Sequence, residues 1–246
     1  MKLGIFGDSY SDWSMHKPYD INDDNERLPW ALYLKRISNY EITNFSVSGS
    51  SLQYSAKLFL ENYQDFDKCV FAVTIPGRVH LTNTGVDSKF KHIAGIAHLN
   101  SLISNVVNIT GDATAHQQIL NENRCYLDAV EKYFLYIYDY DQLTLFHNAL
   151  VEKISRTLPN TNLLLVPVHV DSITGQMTTM GTISNLDGRW HATHRDMRLN
   201  HLNDNNNREF AKQIFDWTTT GYFNLDIKNF HQSSHAFNQM WEKYEK

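Results

Sequence analysis

The chain has 246 residues, 42% of them hydrophobic and 20% charged, which is enough apolar material for a large core and too much for a disordered polymer. Its formal net charge of -5 and the lack of a Lys/Arg cluster exclude a general nucleic-acid-binding surface, which needs cations to neutralise phosphates. Two cysteines, Cys69 and Cys125, are too few for a disulfide framework and read as reduced structural thiols.

In chain order, residues 3–6 (Leu-Gly-Ile-Phe) predict a strand that ends in the turn Gly7-Asp8-Ser9. Residues 28–38 carry Leu28, Ala31, Leu32 and Leu34 at helical spacing, with Pro29 tolerated in the first turn. Residues 41–46 predict a second strand, and 51–63 a helix that Ser51 can cap. A third strand is expected at 69–74, inside an apolar run that contains Cys69. Residues 76–115 mix Gly, Asn, Thr and His and read as an insertion, or a lid beside a site. Residues 121–158 hold neither Gly nor Pro, and their apolar positions recur at Leu127, Val130, Phe134 and Ile137, then at Leu145, Leu150 and Ile154. A fourth strand falls at 163–168. After it, residues 171–200 form a long polar stretch, part of which is expected to be a hairpin. Residues 205–218 predict a helix with Phe210, Ala211, Ile214 and Phe215 on one face. Residues 221–246 read as a helical C-terminal extension anchored by Phe230, Phe237, Met240 and Trp241.

Strands alternating with helices imply an α/β protein, a three-layer α/β/α sandwich around a mainly parallel sheet. Residues 1–220 are expected to form its domain. No apolar stretch approaches the ~20 residues of a membrane span. Met1 leads directly into the first strand without the basic and apolar regions of a signal peptide, so the expected location is the cytoplasm, or a particle packaged from it.

A strand that ends in a glycine-led turn leaves the next side chain at the edge of the sheet, where Ser9 can meet a substrate. A serine hydroxyl is a weak nucleophile at neutral pH and needs a base within hydrogen-bond reach. His201, in Arg198-Leu199-Asn200-His201-Leu202-Asn203 just before the last main helix, is the best placed of the twelve histidines. Acyl transfer also needs fixed donors for a developing oxyanion. Gly49, in the turn Ser48-Gly49-Ser50 ahead of a helix, permits close backbone approach. A third turn on the same edge runs Thr74-Ile75-Pro76-Gly77-Arg78.

These three turns with His201 resemble the sequence blocks of the SGNH hydrolase superfamily, the GDSL esterases. Gly7-Asp8-Ser9 resembles the first block, Gly49 the glycine of the second, and His201 the histidine of the last, over about residues 1–218. The resemblance implies a flavodoxin-like α/β/α sandwich and a serine esterase that uses no cofactor. Two departures stand out. Where the family offers an asparagine to the oxyanion, this chain has Pro76-Gly77-Arg78, which leaves the Arg78 guanidinium or the Thr74 hydroxyl as candidates. Where the family places an aspartate three residues before the histidine, this chain has Arg198, and the nearest acid upstream is Asp196. Such drift is similar to that of phage or viral members.

The expected substrate is a small acyl ester, such as an O-acetylated carbohydrate, with neither nucleic acid nor membrane as partner. A non-catalytic protein of the same fold, binding carbohydrate or built into a virion, is the rival reading. A nucleotide binder ranks last, because Asp8 in the first turn would repel phosphate. His191 and His194, with Asp187 and Asp196 nearby, lack a second well-spaced ligand pair and read as polar loop residues rather than a metal site.

Overall fold

A computed structural model of the protein describes residues 1–13, 21, 28–80, 92–93, 113–168, 202, 204–223 and 226–230. Four parallel strands form the central sheet: β1 (Lys2–Phe6), β2 (Glu41–Asn44), β3 (Lys68–Val73) and, last in the chain, β6 (Leu163–Pro167), in the spatial order β2-β1-β3-β6. The register pairs Ile5 with Asn44, Phe6 with Phe71 and Ala72 with Val166, so all four strands end on one edge. β1, β3 and β6 are buried almost end to end, as expected of strands covered on both faces. Pro167 fits because β6 is an edge strand among the described residues, where a missing ladder N–H does little harm.

Helices cover both faces. On one, α1 (Trp30–Ile37) packs on α5 (Asp204–Thr220), burying Trp30, Ala31 and Leu34 with Phe210, Ala211 and Ile214. Their central contact sets the Trp30 and Phe210 rings edge to face, 5.4 Å apart. On the other, α2 (Leu52–Asn62) meets α4 (Tyr140–Ser155). Phe6 lies in an aromatic cluster there, stacked on Phe45 at 4.9 Å and edge-on to Phe59 at 5.3 Å. Gly4 makes room for that cluster, since a Cβ there would stand 2.8 Å from both the Phe6 and Phe66 rings. The mixed α/β class, the parallel sheet and the layering are therefore as the sequence predicts.

The differences are local. Residues 121–158 form two helices, α3 (Ala113–Tyr136) and α4, rather than one span. Neither Gly nor Pro makes the break. Asp139 caps α4, its carboxylate accepting from the amides of Asp141 and Gln142, and a good cap starts a new helix as effectively as proline ends one. Ser51 caps α2 through the Tyr54 amide, as its position suggests. Within 76–115, Val79–His80 (β4) and His92–Ile93 (β5) pair antiparallel. After α5, a 3₁₀ turn at Ile227–Asn229 precedes Phe230, which is buried and anchors the start of the C-terminal segment. Residues 171–200, Phe237, Met240 and Trp241 lie outside the described residues. Among those residues, no helix is long and apolar enough to cross a membrane.

Cys69 is fully buried in β3, whereas Cys125 is exposed on α3. Burial pushes the Cys69 thiol from 9.0 up to about 12. The unfolded thiol therefore ionises first, and the stability linked to Cys69 is full below pH 9.0 and lost as pH rises through about 12. Ellman's reagent should titrate one thiol in the folded protein, and the second only after denaturation. Cys69→Ala should reduce the alkaline fall in melting temperature between those two pH values; an equal rate for both thiols would contradict this packing.

Candidate active site

The turn after β1 lies where the strand order reverses, with β2 on one side of β1 and β3 on the other. Connections leave in opposite directions at such a point and open a crevice at the carboxyl ends of the strands. Gly7 begins the turn with φ of 151°, and a Cβ there would stand 2.6 Å from the Ala72 Cβ, so only glycine fits. Its carbonyl accepts from the Val47 amide at 3.1 Å and from the hydroxyls of Ser50 and Ser55 at 2.9 and 3.2 Å. The Asp8 carbonyl accepts from the amides of Ser11 and Asp12, each at 3.0 Å, which closes the turn over Ser9. Within residues 6–12, Ser9 is the one residue not buried. Its neighbours Asp8, Tyr10, Ser11 and Asp12 are 1%, 4%, 0% and 7% exposed.

The Asp8 side chain points inward. Oδ1 accepts from the Tyr10 amide at 3.0 Å, and Oδ2 accepts from Thr74 Oγ1 and Arg78 Nη1, both at 2.8 Å. The turns after β1 and β3 are thus joined by a hydroxyl bridge and by an ion pair whose carboxylate is buried and whose guanidinium is partly so. Burial, reinforced by the Asp8 charge, holds the Tyr10 hydroxyl pKa well above its ordinary value. The expectation that Asp8 repels an anion at the crevice is corrected here: its carboxylate is buried and matched by a guanidinium.

The turn after β2 is fastened just as closely. Asn44 donates to the Ser11 carbonyl at 2.7 Å and accepts from the Ser46 amide at 2.9 Å. The Ser48 amide donates to Asp12 Oδ2 at 2.8 Å. A bond from the Ser50 amide to the Val47 carbonyl closes a four-residue turn with Gly49 in its third position, at φ of 77°. That conformation is one glycine adopts freely and other residues rarely do. Among the described residues the Gly49 amide makes no hydrogen bond, and Gly49 keeps some solvent access.

The structure therefore brings Ser9, Gly49, Thr74 and Arg78 to one edge of the sheet, on three turns tied to one another. Thr74 has one hydroxyl hydrogen and gives it to Asp8. Arg78 has five N–H donors and engages Asp8 through Nη1, so it retains donors. His201 and Asp196 lie outside the described residues, as do His191 and His194. Among the described residues, no group of three or more His, Cys, Asp or Glu side chains is placed to hold a metal. Sequence reading missed Asn44, Asp12 and the structural role of Asp8, because each acts through contacts with a distant turn.

No protein-family model matches the chain, and no curated protein is significantly similar to it.

Arg78→Leu leaves a buried carboxylate with one cationic partner fewer and should destabilise the fold by about 3 kcal/mol, because removing half of a buried pair costs far more than an exposed bridge is worth. Gly7→Ala should cost at least ~2 kcal/mol through its φ and its overlap with Ala72. Urea denaturation of the two variants measures both values; a loss below about 0.5 kcal/mol for either, the range of ordinary surface changes, would rule out this account of the turn.

Proposed function

We propose that this protein is a serine ester hydrolase of the SGNH type, with Ser9 as nucleophile. The observation that carries the reading is that Ser9 alone keeps solvent access within a buried turn at the point where the strand order reverses, on the same sheet edge as a Gly49 amide that has no acceptor among the described residues. His201 takes the Ser9 proton as Oγ attacks the acyl carbonyl, and Asp196 orients the imidazole. The amides of Ser9 and Gly49, with a remaining N–H of Arg78, meet the oxyanion. The histidine then returns the proton to the departing alcohol, and water, activated by the same histidine, releases the acyl group. The reaction needs no cofactor. The substrate is a small acyl ester, and an acetylated carbohydrate is the class we favour.

A fluorophosphonate probe should label Ser9 covalently, and Ser9→Ala should abolish labelling in protein whose circular dichroism shows it folded. His201→Gln should lower kcat for p-nitrophenyl acetate by roughly 10³-fold. Folded protein that neither labels nor hydrolyses the ester would exclude the enzyme reading and leave a non-catalytic protein of this fold.

A further inference from the structure

We propose that Asn207 is a positioning residue that holds the segment entering α5 and the Ser9 turn against a single scaffold side chain, Trp30. The proposal rests on the reading of Ser9 and His201 as nucleophile and base. Three buried hydrogen bonds carry it. Trp30 Nε1 donates to the Tyr10 carbonyl at 3.0 Å, the Trp30 amide donates to Asn207 Oδ1 at 3.0 Å, and Asn207 Nδ2 donates to the Leu202 carbonyl at 2.9 Å. Trp30, Asn207 and Leu202 are 1%, 7% and 1% exposed. Tyr10 follows Ser9 in the chain, and Leu202 follows His201, with ~3.8 Å between neighbouring Cα atoms. The two candidate reacting residues are therefore each one peptide away from an end of the same hydrogen-bonded path.

The chemistry of that path calls for a carboxamide. Trp30 opens α1, and its N-cap residue Pro29 makes no side-chain bond to the orphan amides of the first turn. The Trp30 amide needs an acceptor and the Leu202 carbonyl needs a donor, and one Asn side chain supplies both from a planar group of fixed span. An ionised aspartate has no donor, leucine has neither function, and glutamine is a methylene longer. Helix docking has independent supports: Tyr33 donates to Asp204 at 2.5 Å, the Arg208 guanidinium lies over the Tyr33 ring at 4.6 Å, and Trp30 packs on Phe210. A variant at position 207 can therefore keep α1 on α5 while the link to Leu202 is cut.

Amide hydrogen exchange on the full chain, followed by peptide mass analysis, tests the link without reference to catalysis. In Asn207→Asp and Asn207→Leu, segment 8–13 and the peptide that carries Leu202 should both exchange about tenfold faster, while β3 and β6 stay at the rate of the unaltered protein. Trp30→Phe, which keeps the ring packing and removes the indole N–H, should speed segment 8–13 by a similar factor. In the same variants kcat for p-nitrophenyl acetate should fall about tenfold or more with KM within about twofold, the signature of misplaced reacting groups rather than lost binding. Unchanged exchange in 8–13 and in the peptide that carries Leu202 would overturn the proposal whatever the activity, as would a lower melting temperature with kcat intact. A protein that shows the exchange coupling but never reacts with ester or fluorophosphonate would retain the link and lose the esterase reading.

Discussion

Burying a carboxylate at the end of a parallel strand demands donors around it, because a desolvated charge without partners costs several kcal/mol. Asp8 imposes that demand on this fold, and the turns after β1 and β3 are arranged to meet it. Thr74 stands where β3 ends and reaches Oδ2 directly, and Arg78 reaches the same oxygen from beyond Gly77. Residue 75 onward therefore cannot leave the sheet in an arbitrary direction. The same geometry sets the turn on the Ser9 side: Oδ1 binds the Tyr10 amide while the Asp8 carbonyl binds two more amides. A turn held from inside through its acidic residue presents the next residue outward, which is why Ser9 keeps solvent access while its neighbours do not.

Strand order adds the second constraint. With β1 central and its neighbours leaving in opposite directions, the crevice opens over the end of β1. The β2 turn is drawn toward that crevice by bonds that all end on the β1 segment, from Val47 and Ser50 to the Gly7 carbonyl, from Asn44 to Ser11, and from Ser48 to Asp12. In the turns after β1 and β2 the amides of Tyr10, Ser11, Asp12, Ser46, Val47, Ser48 and Ser50 are consumed in holding the turns together. An amide left without an acceptor, as at Gly49, is in that setting a donor available to a ligand, already oriented by its surroundings and needing no reorganisation when charge appears.

The sheet was legible in the sequence because fully covered parallel strands read as short apolar runs, and 3–6, 69–74 and 163–168 fall within a residue of the strands that form. The helix break at Asp139 was not, because a capping aspartate in a run without Gly or Pro looks like any surface acid. The candidate site divides in the same way. Ser9 and Gly49 are visible from local grammar, a strand followed by a glycine turn. Asn207 and Asn44 are not, since their functions lie in hydrogen bonds to residues up to 177 positions away and nothing in their own neighbourhood marks them. Arg78 and Thr74 are recognisable from sequence as chemistry-bearing, but that both close on Asp8 is set by the packing of two turns and not by their local sequence.

That shared partner decides what Thr74 and Arg78 can still offer to a ligand at the sheet edge. A hydroxyl has one hydrogen, so Thr74 cannot hold Asp8 and stabilise an oxyanion at once. A guanidinium can serve two acceptors, because its donors diverge from a rigid plane. The Arg78 side chain is 14% exposed, so it combines a buried ionic anchor with a margin of solvent contact. Lysine would place a single rotatable ammonium on Asp8 and offer no second fixed direction. Arginine is thus the residue type that can lock the β3 turn to the β1 turn and still present a directed N–H at the sheet edge, whereas a neutral side chain at position 78 would leave the Asp8 carboxylate without its counter-charge.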